Sequence, residues 1–236
     1  SIAMPVKGDM IDQIATISTN NDPILGKIIA DAFRAVDYTG VVMMETSPTG
    51  QTEVEIVDGV QYNKGLTNSH FVTNNQLKTA ELENPLVLLI ESPVDTIRQI
   101  QTVLEYVIKN NKPLLIIGDL EQGVLSALAM NKIKGNIKIN VINAPTYGIN
   151  KKEILDDLAL LTGATIINED LGDDLDLIKI EYLGTCLKTV TTHEDTIIQV
   201  SESSAEIEEI IKEIKDKLLE ENPSHEVIKL EKRLAM

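Results

Sequence analysis

Between Pro85 and Asn168, four short apolar runs, PLVLLIE, KPLLIIG, IKINVI and GATIIN, alternate with stretches of helical periodicity. Strands connected through helices pair in parallel, whereas tight turns connect antiparallel ones, so this alternation specifies an α/β class with parallel strands. Local signals agree with it. Ser92-Pro93 reads as a cap and first turn, and Asn150 with Glu153 reads as a capping box. The chain has 236 residues and is 43% hydrophobic, which is ample for a large domain or a domain and a half.

The segments on either side differ in kind. Upstream, Asp22 caps a helix predicted over Pro23–Val36, with Leu25, Ile28, Ile29, Ala32, Phe33 and Val36 at helical spacing. GVVMMET and TEVEIVDG then read as a hairpin in which Val54 and Ile56 alternate with Glu53 and Glu55, and Asp58-Gly59 is a candidate hinge. Downstream, Ser203 and Glu206 form a capping box, and Ile207, Ile210, Ile214 and Leu218 make a core stripe. Asn222-Pro223 ends that helix before Val227, Leu230 and Leu234 start another, which gives a C-terminal helical hairpin.

Composition excludes several functions. The net charge of -16, from 37 acidic and 21 basic residues, argues against nucleic acid, whose binding depends on basic groups releasing counterions. No run approaches eighteen apolar residues, so no membrane helix is expected, and the first residues show no targeting pattern. The single cysteine, Cys186, cannot form an internal disulfide and reads as a small buried hydrophobe. It fits a reducing, cytoplasmic compartment, or an organelle matrix if the source is eukaryotic.

Chemistry-bearing patterns are sparse. Neither GxGxxG nor GxxxxGK[ST] occurs, and Gly26-Lys27 is followed by Ile28 where a hydroxyl is needed. His70, His193 and His225 stand far apart, so no metal site is expected. The run Glu169, Asp170, Asp173, Asp174 and Asp176 lacks the alternating ligands of a calcium loop and reads as a solvated turn. Asp156-Asp157 reads as the solvent face of a helix, whose apolar side is Ile154, Leu158 and Leu161.

Two helices hold excess apolar surface. Over Pro93–Asn110, Ile97, Ile100, Val103, Leu104, Val107 and Ile108 span about 140° of the wheel, whereas one core contact needs about 100°. The next helix is apolar almost all round, with Val124, Leu125, Leu128, Ala129, Met130 and Ile133. Such a helix is either wholly buried or meets a partner, and composition alone favours burial.

From about Ile11 onward the chain resembles the group I, GroEL-like chaperonins. The resemblance rests on QIATISTNND with GKIIADAF, on YNKG after Asp58-Gly59, on KPLLIIG and on LDDLALLTGATIINEDLG. It implies a partial α+β intermediate domain over 1–58 and an apical domain over 59–236, with a β-rich core, flanking helices and a hinge at Gly59. It further implies a chaperone whose apolar groove between two helices binds non-native polypeptide and a co-chaperonin loop.

Carried over residue by residue, the groove falls on Leu66, Asn68, His70 and Phe71, then Gln101, Leu104 and Ile108, then Leu125, Ala129, Met130 and Asn131. Leu104 and Met130 are expected to face solvent when nothing is bound. The family usually has aromatics at the places of Leu66 and His70 and a leucine at that of Gln101, so this groove is the more polar. The usual APGFG stands here as Ala144-Pro145-Thr146-Tyr147-Gly148.

The family's ATP-binding and ring-forming parts have no counterpart here. The chain is therefore expected to be a non-enzymatic, monomeric fragment without cofactor. The full parent would be a ring using ATP with magnesium and potassium. The alternative reading is an α/β enzyme or small-molecule binder using the strand ends near Glu91, Asp119 and Asn143.

Overall fold

The computed structural model describes residues 10–35, 59–144 and 149–200. The expected hairpin before Gly59, the loop Pro145–Gly148, the Asn150 side chain, His225 and the C-terminal helical hairpin lie outside the described residues.

In chain order the elements are α1 (Met10–Ser18), α2 (Pro23–Ala35), β1 (Gly59–Tyr62), β2 (Ala80–Glu83), β3 (Leu86–Ile90), α3 (Gln101–Lys109), β4 (Leu114–Ile117), α4 (Gln122–Ile133), β5 (Ile139–Ile142), α5 (Ile149–Thr162), β6 (Ile166–Ile167), β7 (Gly184–Thr185), β8 (Lys188–Thr191) and β9 (Thr196–Gln199). The class is mixed α/β, with two sheets among the described residues.

α1 and α2 form a helical pair. Asp22 caps the second helix as expected, its Oδ1 accepting from the backbone N–H groups of Ile24 (2.9 Å) and Leu25 (3.1 Å). Arg34 joins the two helices through Asp12 and bonds Asp31 at 2.8 Å.

The four apolar runs form the predicted parallel sheet, in the order β5-β4-β3-β6, and β7 pairs antiparallel with β3. Because successive residues of a strand point to opposite faces, each run feeds two separate apolar clusters. Leu88, Ile90, Leu114, Ile116, Ile139 and Val141 face α3 and α4. Val87, Leu89, Leu115, Ile117 and Ile142 face the side of Leu155 and Leu158 on α5. Right-handed crossovers demand this arrangement, since α3 and α4 carry the chain one way across the sheet and α5 carries it back past β3.

A second, antiparallel sheet runs β1-β9-β8-β2. It is joined to the first by a buried polar chain. Asn140 of β5 donates to Thr191 Oγ1 at 2.8 Å, and Thr196 Oγ1 lies 3.0 Å from Thr191 Oγ1 while donating to the Lys64 carbonyl at 2.7 Å.

Gly59, expected as a hinge, opens β1 opposite Gln199, and a Cβ there would lie 2.6 Å from the Ile198 carbonyl oxygen. Strand packing alone therefore requires glycine at this position.

One expected boundary is corrected. The helix predicted from Pro93 begins with a single 3₁₀ turn, Ile97–Ile100, and is α-helical only from Gln101. The reason is Val94, which is fully buried and bridges Leu120 in parallel, holding the Pro93 segment extended. The cap accordingly moves to Thr96 and Gln99, with Gln99 Oε1 accepting from the Asp95 and Thr96 N–H groups at 2.9 and 3.0 Å.

Cys186 is buried, and burial pushes its thiol up to about 12. Thiolate is the reactive form, so at pH 8 a disulfide reagent should label Cys186 only as fast as the domain opens, and urea should accelerate labelling in step with unfolding. Thr189 Oγ1 is buried without a hydrogen-bond partner among the described residues. Thr189→Val should raise the unfolding free energy by about 1 kcal/mol with an unchanged urea m-value. A loss of stability would mean that the hydroxyl is bonded.

Candidate functional site

α3 and α4 both follow strands of one parallel sheet and cover the same face, so they run in the same direction. The expectation that Leu104 faces solvent is corrected by this packing: Leu104 is 8% exposed and Leu125 7%, and Ala129 is also buried. The nine residues of α3 start past the 3₁₀ turn, so Val103, Leu104 and Val107 must all cover the sheet. The wide apolar arc is thus mostly consumed by the core. The residues left outside are Ile108 (49% exposed), Met130 (54%) and Ile133 (54%), together with Ile97 and Tyr106.

The segment after β1 packs against the same cluster. Leu66 is half-buried against the α3/α4 cluster, bridges Ile142 and donates its N–H to the Thr192 carbonyl at 2.9 Å. Thr67 Oγ1 donates to the Val141 carbonyl at 2.7 Å. Gly65 allows the approach, since a Cβ there would meet the His193 backbone at 2.2 Å.

Asn68 caps the 3₁₀ turn Ser69–Phe71, with Oδ1 at 2.9 Å from both the His70 N–H and His70 Nδ1. His70 is exposed, but Phe71, expected in the groove, is completely buried in the core and is an anchor for the loop. Lys132 Nζ donates to the Val72 carbonyl and ties the loop to α4, and desolvation lowers the Lys132 pKa.

The polar candidates have local roles. Exposed Gln101 donates to Glu105 Oε1 at 2.7 Å along α3, and Asn131 Nδ2 donates to the Ala127 carbonyl at 2.9 Å on α4. The sequence-derived set is therefore brought together in two layers. Leu66, Phe71, Leu104, Leu125 and Ala129 belong to or touch one core cluster, and His70, Gln101, Ile108 and Met130 are exposed. Ile133 was not among the site candidates. Its signal is its place three residues after Met130, on the same side of α4.

The strand ends behave differently. In a sheet ordered β5-β4-β3-β6, the crevice where chain direction switches lies between the carboxyl ends of β3 and β6. Here Asn168 Nδ2 donates to Glu91 Oε2 at 2.7 Å, Glu169 N–H donates to Ser92 Oγ at 2.9 Å, and Lys151 Nζ donates to the Glu91 carbonyl at 3.0 Å. Nearby, Tyr62 donates to the Asn143 carbonyl at 2.9 Å, and burial, with the charge of Asp119, raises its pKa. Among the described residues, Glu91, Ser92 and Asn168 are bonded to one another, and Lys151 and Tyr62 to backbone carbonyls.

The acidic run after β6 is a turn: Asp173 accepts from the Asn168 N–H and Asp174 caps a 3₁₀ turn. Among the described residues, no three His, Cys, Asp or Glu side chains are grouped to hold a metal, and no helix is long and apolar enough to cross a membrane. No family model matches the chain.

Burial sets distinct expectations for the two layers. Leu104→Glu should unfold the domain or lower its stability by several kcal/mol, since an unpaired carboxylate would replace core contacts. Phe71→Ala should cost about 3–5 kcal/mol. Met130→Glu should change stability by no more than about 0.5 kcal/mol, the usual range for surface substitutions. Urea unfolding of the three variants checks this ordering.

Proposed function

We propose that this chain is a polypeptide-binding domain of the group I chaperonin type, with part of an intermediate domain ahead of Gly59. The observation that carries the reading is the exposure of Ile108, Met130 and Ile133 in the last turns of two helices that cover the same sheet face, which we read as one apolar strip. These side chains are about half exposed on helices whose opposite faces already fill the core. Large apolar groups held outward on the last turns of two helices that share a sheet face are what a partner surface would cover.

Met130 suits varied clients, because an unbranched thioether adapts to many shapes. Half-buried Leu66 packs against the α3/α4 cluster and exposed His70 lies in the loop tied to α4 through Lys132, so an extended or helical apolar segment would meet apolar side chains from both helices and a polar loop edge. In this reading the occupants are non-native polypeptides and a co-chaperonin loop. Nucleotide hydrolysis and ring assembly belong to other parts of the parent protein, and the isolated chain is a monomer.

Burying each such side chain contributes about 1.5–3 kcal/mol, and association and ordering costs remove much of it, so isolated binding is weak. The test pairs affinity with stability. A fluorescent apolar peptide should bind the wild-type chain, and Ile108→Glu or Met130→Glu should weaken it at least about tenfold with little change in melting temperature. Unchanged affinity in both variants would place the binding surface elsewhere.

A further inference from the structure

The exposed apolar residues sit in the last turns of α3 and α4, and those turns lead directly into a cluster of lysines. Lys109 ends α3, Lys112 lies in the turn into β4, Lys134 caps α4 and Lys138 lies in the turn into β5. The two turns are neighbours, because β4 and β5 pair in parallel and the Leu114 N–H bonds the Lys138 carbonyl at 2.9 Å. All four lysines are exposed, and among the described residues none is paired with a carboxylate.

The opposite, carboxyl edge of the same sheet carries Glu91, Asp119, Glu121, Asp170 and Asp173 against Lys151, which bonds the Glu91 carbonyl. The two helices thus run from an acidic edge to a basic one, in a chain whose net charge is -16. Helix dipoles account for part of this. Two helix C-termini present about half a negative charge each, roughly one in total, against four lysines. About three positive charges are left over beside Ile108 and Ile133, with Glu105 the nearest acid on α3, bonded to Gln101.

We propose that the strip between α3 and α4 selects apolar peptide segments flanked on one side by acidic residues, with the acidic end lying over Lys112, Lys134 and Lys138. This rests on the proposed peptide-binding function and adds its substrate class and orientation. The apolar part supplies contact area at Ile108, Met130 and Ile133. The lysines supply register and direction, because a reversed segment would set its acids against the acidic edge. A nucleic acid fits less well, since it would meet the apolar side chains with a charged backbone.

The test uses the full chain and two fluorescent peptides with one apolar core, one ended by three aspartates and the other by three glutamines. At low salt the aspartate peptide should bind about tenfold tighter, as three exposed charge pairs would give, and the gap should close near about 1 M salt. In the triple variant Lys112→Gln/Lys134→Gln/Lys138→Gln the preference should vanish while glutamine-peptide affinity stays the same. Equal binding of both peptides to the wild type would overturn the charge inference and leave the groove intact. A preference that survives the triple variant would overturn it too. Binding of neither peptide would overturn both readings, and tighter binding of a single-stranded oligonucleotide than of the aspartate peptide would show a general polyanion surface instead.

Discussion

A parallel sheet whose strands are apolar on both faces is unstable until both faces are covered, and this requirement organises the described domain. β3 and β4 are buried at nearly every position, so their side chains divide between two clusters rather than between core and solvent. One layer cannot serve both. α5 and the antiparallel sheet, through Val60, Tyr62, Leu82 and Ile198, take one face and α3 with α4 take the other, and the short α3 spends most of its apolar arc on that cover. What remains outward is decided by helix length and sheet width together: Ile108 in the last turn of α3, and Met130 and Ile133 in the last turns of α4.

The loop after β1 is held by polar bonds as well as by apolar anchors. Thr67 reaches the Val141 carbonyl, and Thr196, through Thr191 and Asn140, links the Lys64 carbonyl to β5. Buried polar groups are costly unless every partner is present, so such a chain of bonds permits few alternative arrangements. Phe71 adds an apolar anchor at the far end of the loop, and Lys132 a cationic one. Between these fixed points Leu66, Asn68 and His70 are presented in one defined position, as a binding surface built on rigid elements requires.

The core and the outer surface of this face are consequently built from different side chains. Leu104, Leu125 and Ala129 form a floor that belongs to the core, and the outer residues can change without opening it. This separation lets a domain vary its surface specificity by substitution. Gln101 and His70 are exposed, and neither belongs to the core cluster.

Sequence alone determined the parallel arrangement, because four short apolar runs separated by helical stretches admit few other pairings, and it located the Asp22 cap and both helices of the site. It also marked those helices as too apolar for a single contact. It could not divide that surplus between core and solvent, since a helical wheel gives direction about one axis and not the width of the sheet beneath. Phe71 was a site candidate through the family resemblance alone, and its burial could not be read locally because the cluster it joins is assembled from β3, α3 and α4, all distant in sequence. The start of α3 was misplaced for a similar reason: the Val94–Leu120 bridge is a long-range pairing that overrides the local preference of Ser92-Pro93. The antiparallel sheet was read only as part of a family resemblance, its strands being four residues each with threonines at buried positions that make sense only once Asn140 is opposite them. The lysine cluster was invisible for the same reason, because residues 109–112 and 134–138 become neighbours only when β4 and β5 pair.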